Sequence, residues 1–468
     1  MDRPSRLASV LLLTITAYIC QNVAPIPLLW ILPMVVYLLT FILTFDSDRW
    51  YHRGVWLPIF AVTSLWSVYF WHTDLTPAIY WLVPLHLAVL LSGSMICHGE
   101  LARRRPSPAR LTSYYLCIAG GGAIGGFFTA VIAPMIFVDH YELHLSLLAV
   151  WLLAIGILLT DPESRFYDGG KGPAFAGVLG TIVLLSAFVI SLGAHVVARR
   201  SKTVELARSF YGALKVTERH GGAEPAFYEL GNGHIAHGGQ FIEPTNRRVP
   251  MWYYHAESGV GEVLLKLKAT PPRRVGVVGL GPGTLAAYAE EGDLFQFYEI
   301  NSQVIGLANK TFTYLEDARQ RGAKIETIEG DARLSLERQP PQDFDVLVLD
   351  AFNGDAVPVH LLTLEAIELY LRHLDADGIL AVHISNNYLD LDTVVKAAAD
   401  RYGLDASRMQ TPDDMSPGAG AAHWILLHRE KGYFAAREFG SPLEDEEHPL
   451  RSVSWTDDYS NIIEILKW

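Results

Sequence analysis

The sequence is poor in cysteine, in positive charge and, over its first 198 residues, in charge of either sign. Its three cysteines, Cys20, Cys97 and Cys117, all lie inside apolar runs. None follows residue 117, which excludes a disulfide framework or a thiolate metal site from the second half. No metal is expected. Acidic side chains outnumber basic ones by 50 to 37, for a net charge of −13. Residues 1–198 hold ten of each sign, so the whole excess falls after residue 198. An acidic region without a basic stripe argues against nucleic acid as a partner.

What is abundant is apolar. The chain is 50% hydrophobic and only 19% charged. A bilayer core takes roughly 20 apolar residues as helix. Seven candidate segments lie near 7–22, 27–45, 55–72, 78–98, 111–138, 142–160 and 173–197. Residues 1–198 therefore read as a polytopic α-helical membrane domain with the lipid bilayer as partner. Arg3 and Arg6 precede the first segment. Arg49 and Arg53 follow the second, Arg103, Arg104, Arg105 and Arg110 the fourth, and Arg165 and Lys171 the sixth. The loops around 23–26, 73–77 and 139–141 carry no Lys or Arg. That alternation puts the N-terminus and the basic loops in the cytoplasm. Seven crossings would put the second half opposite, yet Arg199, Arg200 and Lys202 favour the basic side.

The run AGGGAIGGF, with Gly120, Gly121, Gly122, Gly125 and Gly126, reads as close helix packing through small residues. His86 and His144 lie in apolar segments. Ionisable groups there are functional candidates, and hydrogen-bonded packing is the plain alternative.

Residues 199–260 read as a small β-hairpin subdomain, and 261–468 as an α/β domain. From 273 apolar strand runs alternate with helical stretches: RRVGVVGLG, FQFYEIN, KIETIEGD, FDVLVLDAF, GILAVHISN and HWILLHR. The alternation predicts a doubly wound parallel sheet, whose ligands bind at the carboxyl ends of the strands. Chemistry-bearing residues sit there. Gly279, Gly281 and Gly283 follow the first strand and open a helix. A dinucleotide fingerprint needs G-x-G-x-x-G, but Thr284 stands at the third glycine. The spacing is G-x-G-x-G, the form of adenosylmethionine binders. Glu299 ends the second strand, where a carboxylate can accept both ribose hydroxyls. Asp331 ends the third, with a helix N-cap as a compatible second role. Asp350 ends the fourth after a run of apolar residues, a costly place for a charge without a partner.

The stretch from about 205 to 385 resembles a spermidine synthase, carried by GLGPG, YEIN, EGDAR, FDVLVLDAFNGDAVPVHLLT and the YYH at 253–255. With PLLWILPMVVYLLTF and WTDDYSNII, the whole chain resembles the bacterial fused membrane spermidine-synthase-like proteins of the polyamine aminopropyltransferase superfamily. The resemblance implies a class I methyltransferase-like fold and S-adenosylmethionine, or its decarboxylated form, as co-substrate. It puts Gly279, Gly281 and Gly283 along the cofactor, Glu299 on ribose, and Asp331 with Ala332 at the adenine. Asp350 would hold the donor's amine, and Gln240, Tyr254 and His255 would contact donor or amine. It also leaves a homodimer open.

Two departures stand out. The family's D-S-S-D-P carries its amine-deprotonating base at the second Asp, where this chain has Asn353. Asn cannot accept a proton, which leaves Asp355 as the candidate base. An Asp-Glu pair that holds a polyamine in the family is replaced by Pro250 and Met251. The expectation is a membrane-bound aminopropyltransferase-like enzyme of a bacterial inner membrane, its soluble domain cytoplasmic. It would act on a small amine or a membrane-derived substrate and release methylthioadenosine. A lyase or other alkyl transfer on intact adenosylmethionine is the second reading. A non-catalytic transporter or sensor is the third.

Overall fold

A computed structural model describes residues 2–22, 27–72, 79–161, 173–220, 225–233, 235–351, 358–386, 389–412, 418–443 and 452–467. Arg165, Lys171 and the loops at 23–26 and 73–77 lie outside them. The chain divides into two compact units, Met1–Ala213 and Leu214–Trp468.

The first unit is helical: α1 (Asp2–Asn22), α2 (Pro27–Asp46), α3 (Arg53–His72), α4 (Ile79–Arg103), α5 (Leu111–Phe127), α6 (Ala133–Ile136), α7 (Tyr141–Thr160) and α8 (Pro173–Ser201), followed by the strand β1 (Thr203–Ser209). Among the described residues six segments are long and apolar enough to cross a membrane, one fewer than the sequence reading. α1 is the segment that drops out, because Asp2, Arg3, Arg6, Gln21 and Asn22 dilute its apolar run.

Side chains in this unit are distributed the opposite way from a water-facing bundle. Met135, Leu116 and Ile190 are 81%, 72% and 71% exposed, while Ser64, Ser67, His86, Ser94, His98 and Glu100 are buried. Such an arrangement is compatible with a multi-pass membrane protein. Most of the inward polar groups find one another, since an unpaired polar group in apolar surroundings costs several kcal/mol, though the Ser94 hydroxyl is buried without a partner among the described residues. His86 Nε2 lies 3.1 Å from Ser67 Oγ, and His98 Nδ1 lies 3.0 Å from Thr40 Oγ1. Trp151 Nε1 donates to Ser64 Oγ at 3.1 Å. Arg53, at the start of α3, grips both carboxylate oxygens of the buried Glu100 at 2.7 and 2.9 Å and also pairs with Asp161 at the end of α7. His86 and His144 are thus hydrogen-bonded packing groups, His144 Nδ1 lying 3.2 Å from the His140 carbonyl oxygen.

The glycine-rich stretch does what its composition implies. It lies on α5 against α1, where Ser5 Oγ donates to the Ile118 carbonyl at 2.6 Å. A Cβ at Gly125 would sit 2.5 Å from the Arg6 carbonyl oxygen. At Gly120 a Cβ would meet nothing within 4 Å.

In the second unit β2 (Gly212–Arg219), β3 (Phe227–Asn232) and β4 (Ile235–Phe241) pair antiparallel in turn, the hairpin subdomain expected. The short α9 (Gly259–Glu262) leads into an eight-stranded sheet. Its strands are β5 (Arg274–Val278), β6 (Leu294–Glu299), β7 (Lys324–Glu329), β8 (Phe344–Leu349), β9 (Leu374–His383), β10 (Asp405–Thr411), β11 (Ala422–His428) and β12 (Ser441–Pro442), in the order β12-β10-β11-β9-β8-β5-β6-β7. α10 (Ser302–Lys310), α11 (Tyr314–Gln320), α12 (Ala332–Arg338), α13 (Leu364–His373) and α14 (Asp392–Tyr402) cover it. The ends are chemically marked: Thr363 Oγ1 caps α13 through the Ala366 N–H, and Gly403, at φ 64°, closes α14.

The sheet is mixed rather than wholly parallel. β5 to β9 run parallel, but β11 is antiparallel to β9, and β10 to β11. The reason is the connection from 412 to 421, too short for the helical crossover that two parallel strands require. From β5 the chain order runs outward to β6 and β7 on one side and to β8 and β9 on the other. That topological switch point opens a crevice at the strands' carboxyl ends.

Replacing Gly125 by Val should force α1 and α5 apart and cost about 1–3 kcal/mol, the usual penalty of overpacking. Thermal unfolding of the full chain in detergent measures it, with Gly120→Ala as the neutral control. Equal melting of Gly125→Val and wild type would contradict the close packing.

Candidate functional site

The loop after β5 shapes the floor of the crevice. Gly279 and Gly283 have φ of 99° and 84°, values that L side chains rarely adopt. At Gly279 the need is also steric, because a Cβ would lie 2.3 Å from the Asp350 carbonyl oxygen. Parallel pairing continues past the strands here: Gly279 N donates to the Tyr298 carbonyl and Asp350 N to the Val278 carbonyl, each at 2.9 Å. Gly281 passes beneath the hairpin, where a Cβ would meet the His237 carbonyl at 3.0 Å. The stretch that follows is a five-residue 3-10 turn, Thr284–Tyr288, and not the full helix expected.

Glu299, at the end of β6, turns back onto this loop. Its Oε1 accepts from Asn301 N at 2.8 Å and its Oε2 from Leu280 N at 3.1 Å. Burial raises its pKa, and these backbone N–H groups oppose the rise. Asp331, beyond β7, is the N-cap of α12: Oδ1 accepts from Leu334 N at 2.9 Å, and Oδ2 lies 2.9 Å from His360 Nε2. Ala332 is the buried first residue of that helix.

Asp350, at the end of β8, is the most enclosed of the three. Tyr254 donates its hydroxyl to Oδ2, and His383 Nδ1 lies 2.6 Å from Oδ1. The side chains of Asp350 and His383 are 7% and 4% exposed. The imidazole of His383 is clamped between two rings, Tyr253 and Trp424, each with its centroid 4.6 Å away and nearly parallel. Trp424 Nε1 donates to the Tyr253 carbonyl at 3.0 Å, which locks the clamp. Beyond the imidazole, His383 Nε2 lies 2.8 Å from Ser385 Oγ.

The other sequence candidates fall elsewhere. Gln240 is buried and its amide is fully engaged: Nε2 donates to the Arg247 carbonyl and to Thr313 Oγ1, and Oε1 accepts from Thr313 N, all at 2.8 Å. It acts as a strap under the hairpin. His255 points away from Asp350, its nitrogens 2.9 Å from Glu257 Oε2 and 3.3 Å from Thr411 Oγ1. Of the YYH run only Tyr253 and Tyr254 reach the acid. Asn353 and Asp355 lie outside the described residues.

Sequence reasoning passed over His383, Ser385, Tyr253 and Trp424. One signal was available for the first. GILAVHISN ends an apolar strand in a polar residue, as FDVLVLDAF does, and the register pairs Leu349 with Val382. The residues one step further, Asp350 and His383, must therefore be neighbours.

No family model matches the chain. One relative, the polyamine aminopropyltransferase of Vibrio vulnificus (strain CMCP6), is 26% identical over 211 residues, 44% of this chain and 67% of its own. The chain is spermidine-synthase-like. Among solved structures, the spermidine synthase of Thermotoga maritima matches 54% of this chain and 81% of its own at 15% identity, with a TM-score of 0.35. A spermidine synthase in complex with the transition-state analogue AdoDATO covers the same shares at 14% identity and the same score.

The Asp350 charge acts on the groups around it, second to burial. The hydroxyls of Tyr253 and Tyr254 are pushed well above the usual tyrosine range, by burial first and by the nearby carboxylate second. Both remain protonated donors at any physiological pH. Burial lowers the pKa of His237, on β4, while the Asp350 charge acts the other way. At the Asp350 end the crevice therefore sets this carboxylate among neutral donors and aromatic faces. It can receive a cation and shield it from water.

Proposed function

We propose that the second unit binds S-adenosylmethionine or its decarboxylated form and catalyses an aminopropyl-type transfer to an amine, releasing methylthioadenosine. The observation that carries this reading is the array at one switch point. The glycine loop lies between the Glu299 and Asp350 carboxylates, with Asp331 at the next strand end. Glu299 keeps lone pairs beyond its two backbone bonds and can accept two ribose hydroxyls. Asp350 likewise keeps capacity for an ammonium or sulfonium group of the donor. Similarity to a polyamine aminopropyltransferase supports the same chemistry.

A second reading has one observation in its favour. Met251, at the place of an amine-holding acid, is apolar and 1% exposed. A site without that counter-charge fits a lyase or other alkyl transfer on intact adenosylmethionine, which needs no dicationic acceptor.

Incubating the purified chain with each donor, with and without amines, and identifying products by mass separates the readings. Methylthioadenosine together with an aminopropylated amine is expected. Methylthioadenosine without any amine adduct would favour the lyase, and no conversion of either donor would refute catalysis.

Glu299→Ala should weaken methylthioadenosine binding by about 2–4 kcal/mol, tens-fold or more, since each bond to a charged acceptor contributes about 1.5–3 kcal/mol. The raised pKa adds a pH signature. Protonation removes acceptor capacity, so wild-type affinity should fall as pH drops through a value above the usual glutamate range, and the variant should lack that step. The same shift makes the empty folded state relatively more stable at low pH, a contribution lost as pH rises through the folded pKa. Calorimetry across pH 5–8 reads the binding, and an unchanged dissociation constant would remove Glu299 from the site.

We further propose that the helical unit spans a bacterial inner membrane and that the second unit faces the cytoplasm, where adenosylmethionine is made. Arg199, Arg200 and Lys202 at the end of α8 favour that side. Among the described residues six segments meet the length and hydropathy of a crossing, and a count without α1 puts the second unit opposite the basic 103–110 loop, so the placement rests on the charges next to α8. Reporters fused at the C-terminus and in the 103–110 loop report each side. A C-terminal fusion active only in the periplasm would overturn the placement.

A further inference from the structure

With Asn353 at the expected base position, the proton released when an amine is alkylated needs another destination. The second unit contains a hydrogen-bonded line that ends on Asp350 and whose polarity can be read link by link. The Asp350 carboxylate is an acceptor, so at 2.6 Å it accepts a hydrogen bond from His383 Nδ1–H. That fixes the neutral imidazole as the tautomer with a lone pair on Nε2. Ser385 Oγ, 2.8 Å from Nε2, already accepts from the His423 backbone N–H at 2.9 Å. Its own proton is therefore free to point at Nε2. A hydroxyl has one donor and two lone pairs, so Oγ keeps one lone pair for an incoming N–H. His383 cannot swing off the line, because Tyr253 and Trp424 clamp its two faces and Asp350 holds its edge. Ser385 is half-buried at the open end.

We propose that Ser385 and His383 form the proton exit of the transfer. This rests on the aminopropyl-transfer reading and adds to it the residues that move the proton. The acceptor amine's nitrogen forms a bond to the donor's aminopropyl carbon as the C–S bond breaks. The C–S electron pair goes to sulfur, which leaves as the neutral thioether of methylthioadenosine. The new ammonium gives a proton to Ser385 Oγ while the hydroxyl's own proton passes to His383 Nε2. The imidazolium so formed is held by Asp350 until it loses the proton to solvent. No oxidant, reductant or further reactant enters. The logic is that of a nucleophile, base and orienting acid in series, with the hydroxyl here relaying a proton and forming no covalent bond.

The ionisable groups facing the imidazole and its partner acid are Asp350 of β8, Tyr253 and Tyr254 of the segment before α9, and His237 of β4. The two tyrosines stay neutral donors, which leaves the imidazoles of His383 and His237 as the groups here able to take the proton. Variants separate them.

The test uses the full chain in detergent with the donor and amine found active, and measures methylthioadenosine release against pH. Methylthioadenosine affinity is measured in parallel for wild type, His383→Gln, Ser385→Ala, His237→Gln and Asp355→Asn. His383→Gln should lower kcat by about 10²–10⁴-fold, the usual worth of a general base. It should abolish the acidic limb of the kcat profile and leave nucleoside affinity unchanged. Ser385→Ala should lose a smaller factor, about tenfold, and keep the acidic limb, because the imidazole remains. His237→Gln should keep the limb as well. Wild-type kcat and pH limb in His383→Gln would overturn the proton exit. So would a loss of affinity that accounts for its loss of rate, or a collapse of kcat confined to Asp355→Asn. If His383→Gln does not fold, full kcat in Ser385→Ala overturns the proposal on its own. Failure of the underlying reading looks different: wild type then yields no aminopropylated amine from any pairing, and the proton exit falls with it.

Discussion

A carboxylate at the end of a run of four buried apolar residues can remain there only if other groups meet its charge. Asp350 follows Val346, Leu347, Val348 and Leu349, all nearly inaccessible to water. Transferring such a group from water costs several kcal/mol before any partner is supplied. The surrounding structure supplies two, Tyr254 on one oxygen and His383 on the other. Each partner is itself fixed. Tyr254 belongs to the segment that carries the hairpin down to the sheet, and His383 is the last residue of the neighbouring strand. The glycine at 279 is required because the backbone of Asp350 comes so close that no side chain fits between. Strand order, hairpin position and loop sequence thus converge on one acid.

The helical unit solves the same problem in another setting. Glu100 is buried near the end of α4, and Arg53 meets it with both arms of its guanidinium, with Tyr51 donating a further bond at 2.9 Å. Bidentate pairing is the strong form of such contacts. A second acid, Asp161, shares the same arginine. Three helices are tied at one end by this cluster, while their outer faces stay apolar. Close packing of α5 on α1 through glycine adds van der Waals contact between the helices.

Legibility in the sequence follows the range of the forces involved. Strand-end acids and the glycine loop were readable because a parallel sheet always presents its ligands at the carboxyl ends, and FDVLVLD or FQFYE announces such an end by itself. The capping role of Asp331 was readable for the same local reason. The partner of Asp350 was not, because it depends on which strand lies beside β8, and the order of strands is a property of the whole chain. Gln240 and His255 show the converse. Their residue types suit ligand contact, but their side chains bond to Arg247 and Glu257 nearby and to Thr313 and Thr411, which are distant in sequence. The direction of β11 was also misread from its apolar run alone, although the short connection before it excludes a parallel crossover. The first segment was counted as a span because its middle is apolar. The charged residues at its start and the amides at its end lower its hydropathy below that of the other six.

The two oxygens of Asp350 let one group serve two tasks that are usually divided. A carboxylate has about four lone-pair sites, and Tyr254 and His383 use two. The remaining sites can face a cationic donor without displacing either partner, so occupancy by protein and by ligand do not compete. The Asp350–His383 contact at 2.6 Å holds the imidazole edge in place, so on the proposed reading the acid that would meet the donor also orients the base. Asparagine can then stand at position 353 without leaving the transferred proton stranded.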